Sequence, residues 1–160
     1  MRRTVAALLL AVSACTSSTS PNDLTVVSQN LYLGGDIFSI VQATTAEEAA
    51  VATFRVWSAV QATDFPARAR VIAAGIAARN PDVIGLQEVA IWRVGDPAVC
   101  LGDVAAINTP TASTVVYDFL ASLQAELVAL GLRYDVAQVT QSFDAELCAV
   151  DPLGGTPPVD

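Results

Sequence analysis

Two polar residues lie where apolar neighbours predominate, and their chemistry is complementary. Asn30 stands near the end of the run Leu24-Thr25-Val26-Val27-Ser28-Gln29-Asn30-Leu31-Tyr32-Leu33, just before the turn formers Gly34-Gly35-Asp36. Glu88 lies within Val83-Ile84-Gly85-Leu86-Gln87-Glu88-Val89. A carboxylate inside an apolar strand needs a partner. The chain has no Lys and no His, so that partner is an Arg or a metal ion. If the two strands run side by side, the Asn30 amide and the Glu88 carboxylate meet at one sheet end. An amide oxygen and a carboxylate together suit a hard cation such as Mg²⁺ or Mn²⁺. By residue type alone, Asn at a strand end is more often a turn former, and Glu88 can be a carboxylate emerging at an edge.

The elements that must position this pair follow from patterning. The β-rich run over 24–33 predicts a strand closed by the turn at Gly34-Gly35-Asp36, with Asp36 in a turn role. Thr45-Ala46-Glu47-Glu48 matches a capping box that opens a helix through Ala52, Val56 and Ala59, with Phe54 and Trp57 available to pack. Asp64 is the next N-cap, with Pro66 in the first turn. Arg68, Val71, Ile72, Gly75 and Ile76 then recur at helical spacing up to Asn80-Pro81. Asp82 to Val89 is short and apolar, which predicts a buried strand. Trp92 to Thr114 reads as a long loop rich in Gly, Pro, Asp and Asn. Val116, Leu120, Leu123, Leu127 and Leu130 predict a helix stopped by Gly131, and Tyr134 to Ser142 a further strand. Asp144 and Glu146 read as solvated. The order of strands and helices indicates an α/β or α+β fold.

Charge and cysteines bound the compartment and the partners. Eight basic against 16 acidic residues give a net charge of −8; without Arg2 and Arg3, 6 against 16 leave −10. Such a surface repels polyanions and argues against a sequence-independent grip on nucleic acid. A bound cation can still bridge the protein to a phosphate ester. Residues 1–15 read as an export signal: Arg2 and Arg3, then an apolar run from Val5 to Val12 that is far short of the roughly 20 residues a spanning helix needs. Val12-Ser13-Ala14-Cys15 resembles a bacterial lipobox, which implies a lipid anchor at Cys15 and an outer-face or secreted location. Residues 16–22 form the polar tether. In an oxidising compartment Cys100 and Cys148 are expected to pair, a closure worth roughly 3–5 kcal/mol.

The segment Val26-Val27-Ser28-Gln29-Asn30-Leu31-Tyr32-Leu33-Gly34-Gly35-Asp36, followed by Arg70, Ile76 and Asn80-Pro81-Asp82-Val83-Ile84-Gly85-Leu86-Gln87-Glu88-Val89, resembles the opening of the endonuclease/exonuclease/phosphatase superfamily. The resemblance extends over most of the chain after the leader, through the Tyr117–Arg133 and Tyr134–Glu146 segments. It implies the N-terminal half of a two-layer β-sandwich flanked by helices, with residues 23–160 an incomplete domain of this type. It also implies a phosphate mono- or diester substrate and Mg²⁺ or Mn²⁺ as cofactor. Carried over, Glu88 becomes the metal ligand and Asn30 orients the phosphate or a metal-bound water, while Gln87 braces the site. The family's mechanism also uses an Asp-x-Asn segment and an Asp-His pair, and this sequence contains no His. The expectation is therefore an inactive N-terminal portion of an exported phosphoesterase. The alternative is a non-catalytic surface lipoprotein that retains the scaffold.

Overall fold

Val26–Asn30 forms the first strand, β1, and Val83–Gln87 forms β2, in a computed structural model that describes residues 23–96 and 112–153. The two pair in parallel with an unbroken register from Val26↔Val83 to Asn30↔Gln87. A parallel pair needs a crossover, and three helices supply it: α1 (Phe38–Val41), α2 (Ala46–Ala62) and α3 (Phe65–Ala77). The start of the pair is clipped by the carboxylate of Asp82, which accepts from the Thr25 amide at 2.8 Å.

The helix starts follow their caps. Thr45 Oγ1 accepts from the Glu48 amide at 3.1 Å. The Glu48 carboxylate reaches back one residue further than in the standard capping box, to the Thr44 amide and hydroxyl. Asp64, in a left-handed conformation at φ 43°, accepts from the Ala67 amide and opens α3. That helix ends at Ala77, and Asn80 turns left-handed at φ 42° ahead of Pro81.

Beyond β2 the sequence expectations need correction. Ile91–Val94 is a strand, β3, where a loop was expected from Trp92 onward. It pairs antiparallel with β4 (Thr114–Asp118), with a register shift between Trp92 and Arg93. The helix α4 therefore begins at Phe119, not at Val116, and runs to Ala129. The reason is local: Thr114-Val115-Val116-Tyr117 favours a strand. Asp118 then caps the helix by accepting from the Ala121 amide at 2.9 Å. Residues 134–142, expected as a strand, have no strand partner among the described residues. A lone segment without a ladder cannot satisfy its backbone groups as sheet. Instead the 132–153 segment is tied at separate points: Tyr134 Oη donates to the Pro81 carbonyl, Arg93 pairs with Asp144, and the Val150 amide donates to the Ala50 carbonyl.

The fold is thus mixed α and β, of the α+β kind, with two small open sheets among the described residues. One core cluster joins Leu31, Phe65, Ala69, Ala73, Ile76, Phe119, Leu123 and Leu127, with Ile84 and Leu86 of β2 packed against it. Phe65 and Phe119 stack face to face, with ring centroids 3.6 Å apart. The second cluster is Val56, Trp57 and Val60 of α2, packed against Trp92, Val94, Val116 and Tyr117. β2 is not buried on both faces as its apolar run suggested. Ile84 and Leu86 turn inward, whereas Val83 and, on β1, Val26 remain 47% and 59% exposed. α3 and α4 cover one face of the β1–β2 pair, and its other face is open among the described residues.

Cys148 is buried and disulfide-bonded. Cys15, Cys100, the export signal and the tether lie outside the described residues. No helix among the described residues is long and apolar enough to cross a membrane.

Candidate functional site

Because β1 and β2 are parallel and in register, their C-terminal ends adjoin, which places Asn30 opposite Gln87 and next to Glu88. This is the sheet end at which open α/β sheets commonly bind ligands. The Asn30 amide nitrogen donates to Glu88 Oε1 at 2.7 Å, so the two residues singled out in the sequence are in direct contact. The Leu33 amide donates to Glu88 Oε2 at 2.8 Å. The Tyr32 amide donates to Asn30 Oδ1 at 2.6 Å, which turns the NH₂ end of the Asn30 side chain toward the carboxylate.

Two residues here have the backbone conformation that favours glycine: Tyr32 at φ 57° and Glu88 at φ 54°. Each such non-glycine residue costs on the order of 1–3 kcal/mol and persists only where its surroundings over-determine it. Glu88 thus stands one residue past β2, out of the alternation. It is exposed, contrary to the buried carboxylate that its apolar neighbours suggested. The Asn30 amide, followed by the Leu33 backbone amide, holds its carboxyl below the ordinary glutamate range. Both Glu88 oxygens are thereby already oriented.

The neighbours complete the frame. Gln87 Nε2 donates to Ser28 Oγ at 3.2 Å and bridges the strands. Gln29 Nε2 donates to the Asn30 carbonyl at 2.7 Å. The Trp92 indole donates to the Leu33 carbonyl at 3.1 Å, so the second core cluster reaches the loop that feeds Glu88. Gly34, at φ 101°, and Gly35 let this loop lie against α2. A Cβ at Gly34 would come 3.1 Å from Val60 Cα, and one at Gly35 3.0 Å from the Val56 carbonyl oxygen. Asp36 accepts from the Phe38 amide at 3.0 Å, the turn role expected of it. Asp144 is exposed, as expected, and pairs at 2.6 Å with Arg93 of β3, away from this contact. An open cleft of about 490 Å³ runs past Asn30, Tyr32, Asp64, Arg68 and Val71.

Sequence reasoning missed Arg68 and Trp92 as supports of this site. Arg68 entered only as a member of a helical stripe. The available signal was an Arg within an otherwise apolar stripe, between Phe65 and Ile72, where a cation needs partners.

The donor set is sparse. Among the described residues no group of three or more His, Cys, Asp or Glu side chains could hold a metal ion. Mg²⁺ commonly binds through one or two carboxylates and fills its remaining positions with water and substrate phosphate. Glu88 fits that mode: each of its oxygens accepts one hydrogen bond and keeps further acceptor capacity. The Asn30 oxygen accepts one bond, from the Tyr32 amide, and keeps a lone pair, while the anionic oxygens at this contact are those of Glu88. No protein-family model matches this chain, nor does any curated protein or solved structure.

Proposed function

We propose that this chain carries the metal-binding corner of a divalent-metal phosphoesterase of the endonuclease/exonuclease/phosphatase type, exported and held at a membrane by lipid on Cys15. The observation that carries the reading is the Asn30–Glu88 contact at the adjoining C-terminal ends of parallel β1 and β2. Those are the two residues that the resemblance marks. The open face of the β1–β2 pair fits a second sheet packed upon it, as a two-layer sandwich would have.

Glu88 would hold Mg²⁺ or Mn²⁺ through a carboxylate already oriented by Asn30 and Leu33. Asn30 aims that carboxylate, and by the resemblance it would orient the phosphate or a metal-bound water. The cation supplies charge stabilisation on the phosphoryl oxygens. The acidic surface favours small or lipid-derived phosphate esters over nucleic acid. With no His in the sequence, these 160 residues hold no imidazole for proton transfer or phosphate polarisation. The 160-residue product is therefore expected to bind the cation without hydrolysing esters. In an oxidising compartment Cys100 would be the expected partner of Cys148.

Titrating the 160-residue chain with Mn²⁺ tests the proposal. Paramagnetic broadening should centre on residues 30–33 and 87–89 and disappear in Glu88→Ala. Broadening that survives Glu88→Ala, or no binding by the folded chain, would defeat the metal-site reading and leave the non-catalytic surface lipoprotein. Acylation is checked separately: labelled fatty acid should enter the wild-type chain and not Cys15→Ala.

A further inference from the structure

Arg68, near the start of α3, has an unusual set of partners. Its Nη1 donates to the Leu31 carbonyl at 2.6 Å, its Nη2 to the Tyr32 carbonyl at 3.2 Å, and its Nε to the Thr63 carbonyl at 3.2 Å. The guanidinium lies 5.0 Å from the Phe65 ring centroid, 5.5 Å from that of Tyr32 and 5.8 Å from that of Phe119. Among the described residues it has no carboxylate partner, and it is half-buried. A desolvated cation placed on carbonyls and ring faces carries a solvation cost that simple helix packing does not explain.

The two carbonyls it grips explain the placement. The Leu31 carbonyl shares a peptide plane with the Tyr32 amide, and the Tyr32 carbonyl shares one with the Leu33 amide. In a planar trans peptide the C=O and N–H point in opposite directions, so fixing the oxygen fixes the aim of the hydrogen. These are the two amides that donate to Asn30 Oδ1 and Glu88 Oε2. A cation on the oxygen end also polarises each peptide and strengthens its N–H as a donor.

We propose that Arg68 is a positioning residue of the Asn30–Glu88 site, clamping both peptide planes of the left-handed Tyr32 kink so that their amides hold the Asn30 and Glu88 side chains in place. Its functional meaning rests on the reading of Glu88 as a metal-holding carboxylate. Its structural content does not. Lys is not equivalent, because an ammonium on a flexible stem cannot reproduce the planar fork that spans two successive carbonyls and Thr63.

The experiment compares wild type, Arg68→Lys and Arg68→Met in the full chain by amide hydrogen exchange and Mn²⁺ titration. Loss of charge-assisted hydrogen bonds of this kind should speed exchange at the Tyr32 and Leu33 amides by roughly tenfold or more in Arg68→Met. The β2, α3 and α4 amides should change far less, and Arg68→Lys should fall between. Mn²⁺ affinity should weaken in the same order. Unchanged exchange at Tyr32 and Leu33, or one uniform acceleration across the chain, overturns the proposal and leaves Arg68 a packing residue. If wild type binds no Mn²⁺, the metal reading fails, while the exchange result still decides the clamp. If neither variant folds, the wild-type Arg68 Nη protons decide: separate, slowly exchanging Nη1 and Nη2 signals support the clamp, and averaged, fast-exchanging ones refute it.

Discussion

The parallel pair β1–β2 and the antiparallel pair β3–β4 are both two-stranded, yet they are held in different ways. β1–β2 runs in unbroken register and rests on a core whose members Leu31, Phe65 and Phe119 are at most 1% exposed. β3–β4 breaks register at Trp92/Arg93 and rests on α2 through larger, partly exposed aromatics, with Trp57 6.2 Å from Trp92 and 6.1 Å from Tyr117. The candidate site hangs from the first region and is braced by the second, through the Trp92 indole on the Leu33 carbonyl. Tight packing against this core holds the strand ends in register. The looser aromatic brace needs only to steady a loop.

Breaking the first region should have the largest effect. Phe119→Ala removes a fully buried ring stacked on Phe65, and a change of this kind costs about 3–5 kcal/mol. Urea unfolding should show one cooperative step in which β1–β2 and α4 are lost together. If β1–β2 survives while α4 melts, the shared-core account is wrong.

The loop joining the two regions should respond next. Gly34→Ala forces a positive-φ position on a Cβ and brings it against the Val60 backbone, where the neighbour cannot give way cheaply. The expected loss is roughly 1–3 kcal/mol, with amide shift changes at Leu33 and Glu88 as well as in α2. Changes confined to α2 would show that the loop and the site are not coupled.

A smaller effect tests the boundary that sequence patterning misplaced. Asp118→Ala removes the cap of α4 and should cost about 1 kcal/mol, read as a lower urea midpoint, with Asp118→Asn close to wild type. A cost below a few tenths would mean the helix start is set by packing of Phe119 alone.

That boundary shows which parts of the molecule were legible in the sequence. Thr45, Asp64 and the turn at Gly34-Gly35-Asp36 announced themselves because caps and turns are local chemistry. Asn30 and Glu88 could be paired from sequence because two strands of one parallel sheet bring their ends together. Val116 to Leu130 misled because its apolar residues fit a helical stripe even though Thr114–Tyr117 prefers a strand. The decisive residue was Asp118, a cap two residues inside the supposed helix. Residues 134–142 have strand composition, but a strand exists only with a partner, and composition does not reveal one. The left-handed turns at Tyr32 and Glu88 were illegible in principle. They are set by the clamp, the brace and the hydrogen bonds across 55 and 58 residues of sequence, not by local preference.

The smallest effect concerns pH. Glu88 is held below its ordinary value of 4.5, first by the Asn30 amide and then by the Leu33 amide. A carboxyl with a depressed folded value contributes stability that is fully present above its unfolded value. That contribution fades as pH falls through the lower folded value. Glu48, also held down by Thr44, shifts stability with the same sign, so the variant Glu88→Gln is needed to isolate Glu88. Gln keeps one acceptor oxygen but turns an NH₂ toward either Asn30 or Leu33, a donor against a donor. Wild type should therefore be more stable than Glu88→Gln at neutral pH, by a small margin because Glu88 is exposed. The difference in urea midpoint should shrink progressively below pH 4.5. A difference that stays constant into the acid range would mean that charge on Glu88 does not strengthen its bonds to the loop. The site would then be held by the backbone of the first region alone, without help from the carboxylate it presents.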